Sequence, residues 1–534
     1  MMNLQKEALE KSRFQNYKAS SRLRILAGKP LDLTDKKLMT PERFESYIMR
    51  QGDFLLSYAT QRVDDQVLEA LQQLAEEARA VDLMHSQQQG EILNKIIGYP
   101  SEERSVLHTA VRDFFDDPQS APAAREAALL ARKECDKVEK FLSQIKDRFT
   151  DLVVIGIGGS NLGPEAIYLA LQAYKLENRR VHFISNIDPD NLAEVFEDLD
   201  LKKTLVAVIS KSGTTIETVT NETFAREYFD QAKLKSQEHF IAITGEKSPM
   251  DDLSKYRECF YIWDYVGGRF SGTAMPGGVI LSFAYGFEVY WELLRGANSI
   301  DKNALKSKMT ENLPLMMAML GIWNHNFLGY PTCCIVPYSH GLRRFSAHIQ
   351  QVDMESNGKH VDKHGYHVSY QTSPIIFGEP GTNAQHSFFQ MMHQGTQIVP
   401  HELIGFRQSQ RAKDTQVQSS TGQEKLLANL LAQSLALATG KEDGNPNKVF
   451  EGNRPSSILM ADCLTPYAMG ALYALYEHKV VFQGYIWDIN SFDQEGVMLG
   501  KKLANDVLSC FAARHGHKGA PFPLGDHLIR LLGL

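Results

Sequence analysis

Four hydroxyls and one ammonium crowd the six residues Ser210-Lys-Ser-Gly-Thr-Thr215, directly after the apolar run Leu205–Ile209. Val206, Val208 and Ile209 suit a strand buried on both faces of a parallel sheet. A helical stretch follows, so the free N–H groups and positive dipole end of a helix point at the loop. Gly213 permits tight backbone geometry there. A helix cap needs one Ser or Thr. Ser210, Ser212, Thr214 and Thr215, with Lys211 among them, form a set suited to holding phosphate.

A second loop, Ile155-Gly-Ile-Gly-Gly-Ser-Asn-Leu-Gly-Pro164, also lies between an expected strand and helix. It misses the dinucleotide spacing G-x-G-x-x-G, because Asn161 stands where the third glycine belongs. Two such loops at equivalent strand ends suggest one cleft, to which Gly159 and Ser160 contribute. The stretch Asp264-Tyr-Val-Gly-Gly-Arg-Phe-Ser271 brings Gly268 backbone and the permanent charge of Arg269; an exposed surface turn would read the same way. Leu342 to Ser356 reads as a helix whose Gln351 and Glu355, four apart, share a face; a carboxylate beside an amide suits proton transfer. His386 closes Gly378-Glu-Pro-Gly-Thr-Asn-Ala-Gln-His386, near a helix expected from Ser387. Gln494 and Lys501 are seven apart, on one face if their segment is helical. His360, His364 and His367 match no metal-site pattern, and we expect no metal site and no cofactor.

The 534 residues suffice for two or more domains, and the net charge of −7 argues against a nucleic-acid partner. Six scattered cysteines make no C-x-x-C pair, so neither a zinc site nor a disulfide framework is expected, and a reduced, cytoplasmic setting fits. An N-terminal signal core and a membrane span are both unexpected.

The elements that must position these residues follow from the apolar pattern. Residues 1 to about 100 read as mostly helical. From Asp151, short apolar runs (Leu152–Ile157, Val181–Ser185, Leu205–Ser210, Phe240–Thr244, Cys259–Trp263) alternate with helical patterns, which predicts βαβ units and a parallel sheet. Two long apolar helices are expected over Val279–Leu294 and Leu305–Trp323. Strands resume at Cys333–Pro337, Pro374–Phe377, Gln397–Phe406 and Ser457–Ala461, so a second α/β sheet is expected.

Taken together, the motifs Gly-Ile-Gly-Gly-Ser-Asn-Leu-Gly-Pro, Ser-Lys-Ser-Gly-Thr-Thr, Val-Gly-Gly-Arg-Phe-Ser, Asp-Met-Glu-Ser-Asn-Gly-Lys, Gly-Thr-Asn-Ala-Gln-His and Gly-Val-Met-Leu-Gly-Lys resemble the glucose-6-phosphate isomerase family in order and spacing. The resemblance implies an α/β fold of two sugar-isomerase (SIS)-type doubly wound parallel-sheet domains with extra N- and C-terminal helices. It suggests an N-terminal helical segment over 1–104, SIS domains over 105–275 and 276–505, and a C-terminal arm over 506–534. It implies reversible isomerisation of glucose 6-phosphate and fructose 6-phosphate, in glycolysis and gluconeogenesis, through ring opening and a cis-enediol. In that scheme Glu355 resembles the base, His386 the ring-opening residue with Lys501 assisting, and Arg269 the stabiliser of enediol charge. Ser210, Lys211, Ser212, Thr214 and Thr215 match the phosphate loop; Gly159, Ser160, Gly268, Gln351 and Gln494 match further substrate contacts. It also implies a homodimer in which His386 reaches across the interface. The chain departs from the pattern at Asn161, Gly272, Glu495 and Met498.

Two other readings use parts of this set. A non-catalytic sugar-phosphate sensor would explain the hydroxyl loop but leave Glu355, His386 and Lys501 without a role. A related isomerase or aldolase-type enzyme would act on other sugar phosphates. Amidotransfer would want an N-terminal cysteine nucleophile, which Met1-Met-Asn-Leu4 does not provide.

Overall fold

Strands buried at every position require cover on both faces, and the sheets of this protein have it. The computed structural model describes residues 12–520 and 522–534. A hairpin comes first, β1 (Ile48–Gln51) and β2 (Phe54–Ser57). Next come β3 (Asp151–Ile155), β4 (Arg180–Ile184), β5 (Thr204–Ser210), β6 (Phe240–Thr244) and β7 (Glu258–Tyr261). Then follow β8 (Thr332–Pro337), β9 (Ile375–Phe377), β10 (His401–Phe406), the short pair β11 (Gln416–Val417) and β12 (Ser420–Thr421), and β13 (Ser456–Ala461).

β3 to β7 form a wholly parallel sheet in the order β4-β3-β5-β6-β7. β3, β5 and β6 are buried throughout, as expected for central strands covered by helices on both sides. One such layer packs Val153, Val206, Val208 and Ala242 against Ala225 and Phe229 of the helix Ile216–Gln231. The second sheet runs β1-β2-β13-β10-β8-β9. Its four central and edge strands from β13 to β9 are parallel, and β2 joins β13 antiparallel. The expected strands therefore form at the expected places in both sheets.

Three expectations change. The N-terminal region is not only helical: its hairpin completes the second sheet. A two-residue Gly52-Asp53 turn joins the strands, with Gly52 at φ +53°, and this dipeptide was the available hairpin signal. The helix expected over Val279–Leu294 is two, Met275–Tyr285 and Phe287–Asn303, broken at Gly286 with φ +92°. The helix expected from Leu305 starts only at Leu313, where Asn312 caps it and Pro314 suits its first turn.

The chain divides into two units, Met1–Ser491 and Phe492–Leu534. The second holds the helices Met498–Arg514 and Pro523–Leu531. Within the first, the helix Pro466–Ile486 is almost wholly buried, its charged Glu477 and Lys479 included, which fits a core helix whose buried charges are paired. Among the described residues no helix is long and apolar enough to cross a membrane.

Candidate active site

In the first sheet the chain runs from β3 out to β4 and returns to β5 on the other side of β3. Ligands of open parallel sheets bind outside the carboxyl ends at such a reversal. The glycine loop follows β3 and the hydroxyl loop follows β5, so both motifs fall at this point.

These loops meet a third. A Cβ on Gly159 would lie 2.2 Å from the backbone C and O of Gly268 and 2.7 Å from Arg269 N, so only glycine allows the contact. The Lys211 ammonium donates to the Val266 carbonyl at 3.2 Å, tying the hydroxyl loop to the segment before Arg269. Burial lowers the Lys211 pKa, and the Arg104 charge adds to the effect.

Within the hydroxyl loop the groups satisfy one another. Ser210 Oγ and Thr215 Oγ1 are 2.9 Å apart, Gly213 N–H donates to Ser210 Oγ at 3.1 Å, and Thr214 N–H donates to Ser212 Oγ at 3.2 Å. Ser212 and Thr214 are exposed. Thr215 is the cap residue of Ile216–Gln231 yet makes no side-chain capping bond, so its hydroxyl serves the loop instead. A dense set of donors at a helix N-terminus is an anion cradle.

Arg269 is 2% exposed. Its Nε donates to Ser356 Oγ and its Nη2 to the Ser491 carbonyl, both at 2.7 Å. Its Nη1 lies 3.7 Å from Glu355 Oε1. Glu355 ends a wide π-type turn, Gln351–Glu355, that extends the short helix Phe345–Gln350. The regular helix expected from Leu342 to Ser356 thus starts later and is widened where its functional side chains sit, a common place for such turns. Gln351 faces the glycine loop: its Nε2 would lie 3.4 Å from a Cβ on Gly158. Gln351 Oε1 is buried and has no hydrogen-bond partner among the described residues, an acceptor that a ligand hydroxyl would satisfy.

Gly159, Ser160, Lys211, Gly268, Arg269, Gln351 and Glu355 therefore border one region. His386 does not open a helix; it is the residue closing Gly381–Gln385, its N–H bonded to Asn383 O, and it is exposed. Gln494 and Lys501 belong to the C-terminal unit. Gln494 precedes a 3₁₀ turn, Glu495–Val497, and the helix begins at Met498, so the seven-residue spacing does not place it with Lys501 on one helix face. His360 and His367 have ring centroids 5.1 Å apart, but among the described residues no group of three His, Cys, Asp or Glu could hold a metal.

Reasoning from sequence missed the partners that hold Arg269. Ser356 is next to Glu355 and was in view; the Ser491 carbonyl is 222 residues away and carries no local signal. The departure at Gly272 has a packing reason: a Cβ there would lie 2.2 Å from Tyr473 Oη, so the tyrosine takes that space. At Asn161, Nδ2 donates to Glu165 Oε2 at 3.1 Å.

The model of the phosphoglucose isomerase family matches residues 57–519. The chain belongs to that family. It is 54% identical over 525 residues to glucose-6-phosphate isomerase of Protochlamydia amoebophila, covering 98% of this chain and 97% of that one. With the enzyme of Chlamydia pneumoniae it shares 51% identity, over 98% of this chain and 99% of the relative. A crystal structure of glucose-6-phosphate isomerase from Chlamydia trachomatis matches with a TM-score of 0.94 and 49% identity, covering 97% of this chain and 99% of that one. The matched residues span the whole first sheet and the loops that follow β3, β5 and β7.

Proposed function

We propose that this member of the family interconverts glucose 6-phosphate and fructose 6-phosphate as a step of glycolysis and gluconeogenesis. The reading rests above all on one observation: a carboxylate, Glu355, lies 3.7 Å from a buried guanidinium, Arg269, beside the glycine loop. Glu355 removes the proton from sugar C2 and returns it to C1, and in reverse from C1 to C2. The two carbons become a cis-enediol between these transfers. Negative charge grows on the enediol oxygens, and the buried Arg269, already fixed in place, stabilises it. Gln351, Gly159, Ser160 and Gly268 hold the sugar.

Ser210, Lys211, Ser212, Thr214 and Thr215 bind the phosphate. That remote binding energy fixes the reacting carbons against Glu355 without entering the chemistry. His386, with Lys501 assisting, opens the sugar ring, and Gln494 completes the contacts. We assign His386 to the active site of a second copy of the chain in a cytoplasmic homodimer; its exposure in this subunit supports that assignment. The domain limits proposed are 1–104, 105–275, 276–505 and 506–534.

A coupled assay for glucose 6-phosphate formed from fructose 6-phosphate, with and without EDTA, tests the reaction. Turnover insensitive to chelator is expected. Absence of turnover with either sugar would favour the sensor reading. Mixing a His386→Ala chain with a Glu355→Gln chain tests the shared site: each homodimer is inactive, and the mixed dimer regains one intact site.

A further inference from the structure

The wide turn that carries Gln351 and Glu355 has a second face. Asp353, midway along it, points into the core and is 1% exposed. Ser373 Oγ donates to Asp353 Oδ1 at 2.9 Å. The backbone N–H of Ser373 donates to the Asn357 carbonyl at 3.2 Å, so one serine braces the turn and its exit. Asp353 Oδ2 is buried and without a hydrogen-bond partner among the described residues. The charges that face Asp353 from the packed elements are Lys479 on the buried helix Pro466–Ile486 and Glu402 on β10, which pair with each other. The Cys333 thiol of β8 borders the same cluster. The neighbouring Val480 carbonyl accepts Asn357 Nδ2 at 2.9 Å, so the same helix holds the segment just past the turn.

A π-type turn inserts an extra residue into a helix and persists only where its surroundings hold it. Here the entry is held by Gln350 Nε2 on the Ile376 carbonyl at 3.1 Å, and the exit by Ser356 on Arg269. Asp353 is the tether between them. Burial raises its pKa to about 6, which agrees with a carboxyl lodged among charges already paired to each other.

We propose that Asp353 is a positioning residue for the isomerisation: through Ser373 it fixes the wide turn so that Gln351 and Glu355 both face the sugar. It touches no substrate and acts only through Glu355, so the inference rests on the reading of Glu355 as the base. A base displaced by a fraction of an ångström loses rate without losing the phosphate contacts that dominate binding.

The test compares Asp353→Ala, Asp353→Asn and Ser373→Ala with the parent enzyme, using glucitol 6-phosphate, which cannot isomerise, as the binding probe. Asp353→Ala is expected to lower kcat by about 10- to 100-fold while the Kd of the probe moves less than about 3-fold. Asp353→Asn keeps an acceptor for Ser373 and is expected to recover most of kcat. Ser373→Ala removes the tether from its other end, so it serves even if Asp353→Ala fails to fold, and it too is expected to lower kcat with the probe's Kd kept. Full kcat in Asp353→Ala or Ser373→Ala overturns the proposal, as does a parallel loss of kcat and probe binding in all three. Glu355→Gln, run alongside, separates the two levels. Its retention of turnover would remove the base; its inactivity together with a fully active Asp353→Ala would remove only the tether.

Discussion

At the hydroxyl loop, Ser212 and Thr214 are exposed and bond chiefly to one another. At the reacting end, Arg269 is buried, its Nε and Nη2 committed to Ser356 and the Ser491 carbonyl and its Nη1 beside Glu355. The contrast follows from the two tasks. Holding a phosphate requires many donors, and rotating hydroxyls can exchange each other for the ligand at little cost. Stabilising an enediol requires one charge fixed in place before the reaction, because reorganisation during the step would raise the barrier. Loss of a donor should therefore be felt in KM at the first end and in kcat at the second.

The sharpest way to break this comparison is Arg269→Lys. The ammonium keeps the charge but cannot reproduce the fork to Ser356 and the Ser491 carbonyl, so kcat is expected to fall about 10²-fold or more in steady-state assays. Gly159→Ala comes next. Its Cβ meets Gly268 backbone at 2.2 Å, where no side chain can yield, so both kcat and KM should worsen and the melting temperature should fall. The double change Ser212→Ala, Thr214→Ala is expected to raise KM about 10-fold with kcat nearly unchanged, and to weaken inhibition by inorganic phosphate in parallel. A comparable drop in kcat would erase the distinction between the two ends.

The smallest effect concerns pH. Burial raises the Asp353 pKa from 3.8 to about 6, so the protonated form is favoured in the folded state. Stability from this group is fully present below its unfolded pKa and is lost as pH rises through about 6. Thermal melts of Asp353→Asn against the parent should therefore show the variant gaining relative stability between pH 4 and about 7.

The loops after β3, β5 and β7 were legible because parallel strands read as unbroken apolar runs and their ends as Gly, Ser and Thr clusters. The hairpin β1–β2 was harder: Arg50 and Gln51 dilute the apolar pattern, and Gly52-Asp53 was the only local sign. The wide turn at Gln351–Glu355 was invisible, since the same residues fit a regular helix; what widens it is tertiary, Ser373 and Arg269 from distant segments. The placement of His386 at the end of a five-residue helix was missed because Gly378 to Gln385 read as a loop and the helix was expected only from Ser387. Its proposed role depends on a second copy of the chain, which spacing within one chain does not encode.

The central claim is that Glu355 carries the proton between C2 and C1. The most direct measurement follows deuterium from heavy water into glucose 6-phosphate formed from fructose 6-phosphate, in the parent and in Glu355→Gln, with glucitol 6-phosphate binding measured on both. The parent should incorporate deuterium at C2 in the fraction of turnovers in which Glu355 exchanges its proton with the solvent before returning it, while Glu355→Gln should incorporate none above the uncatalysed rate and still bind the probe within about 3-fold. Incorporation by Glu355→Gln at a rate near the parent's would contradict the account.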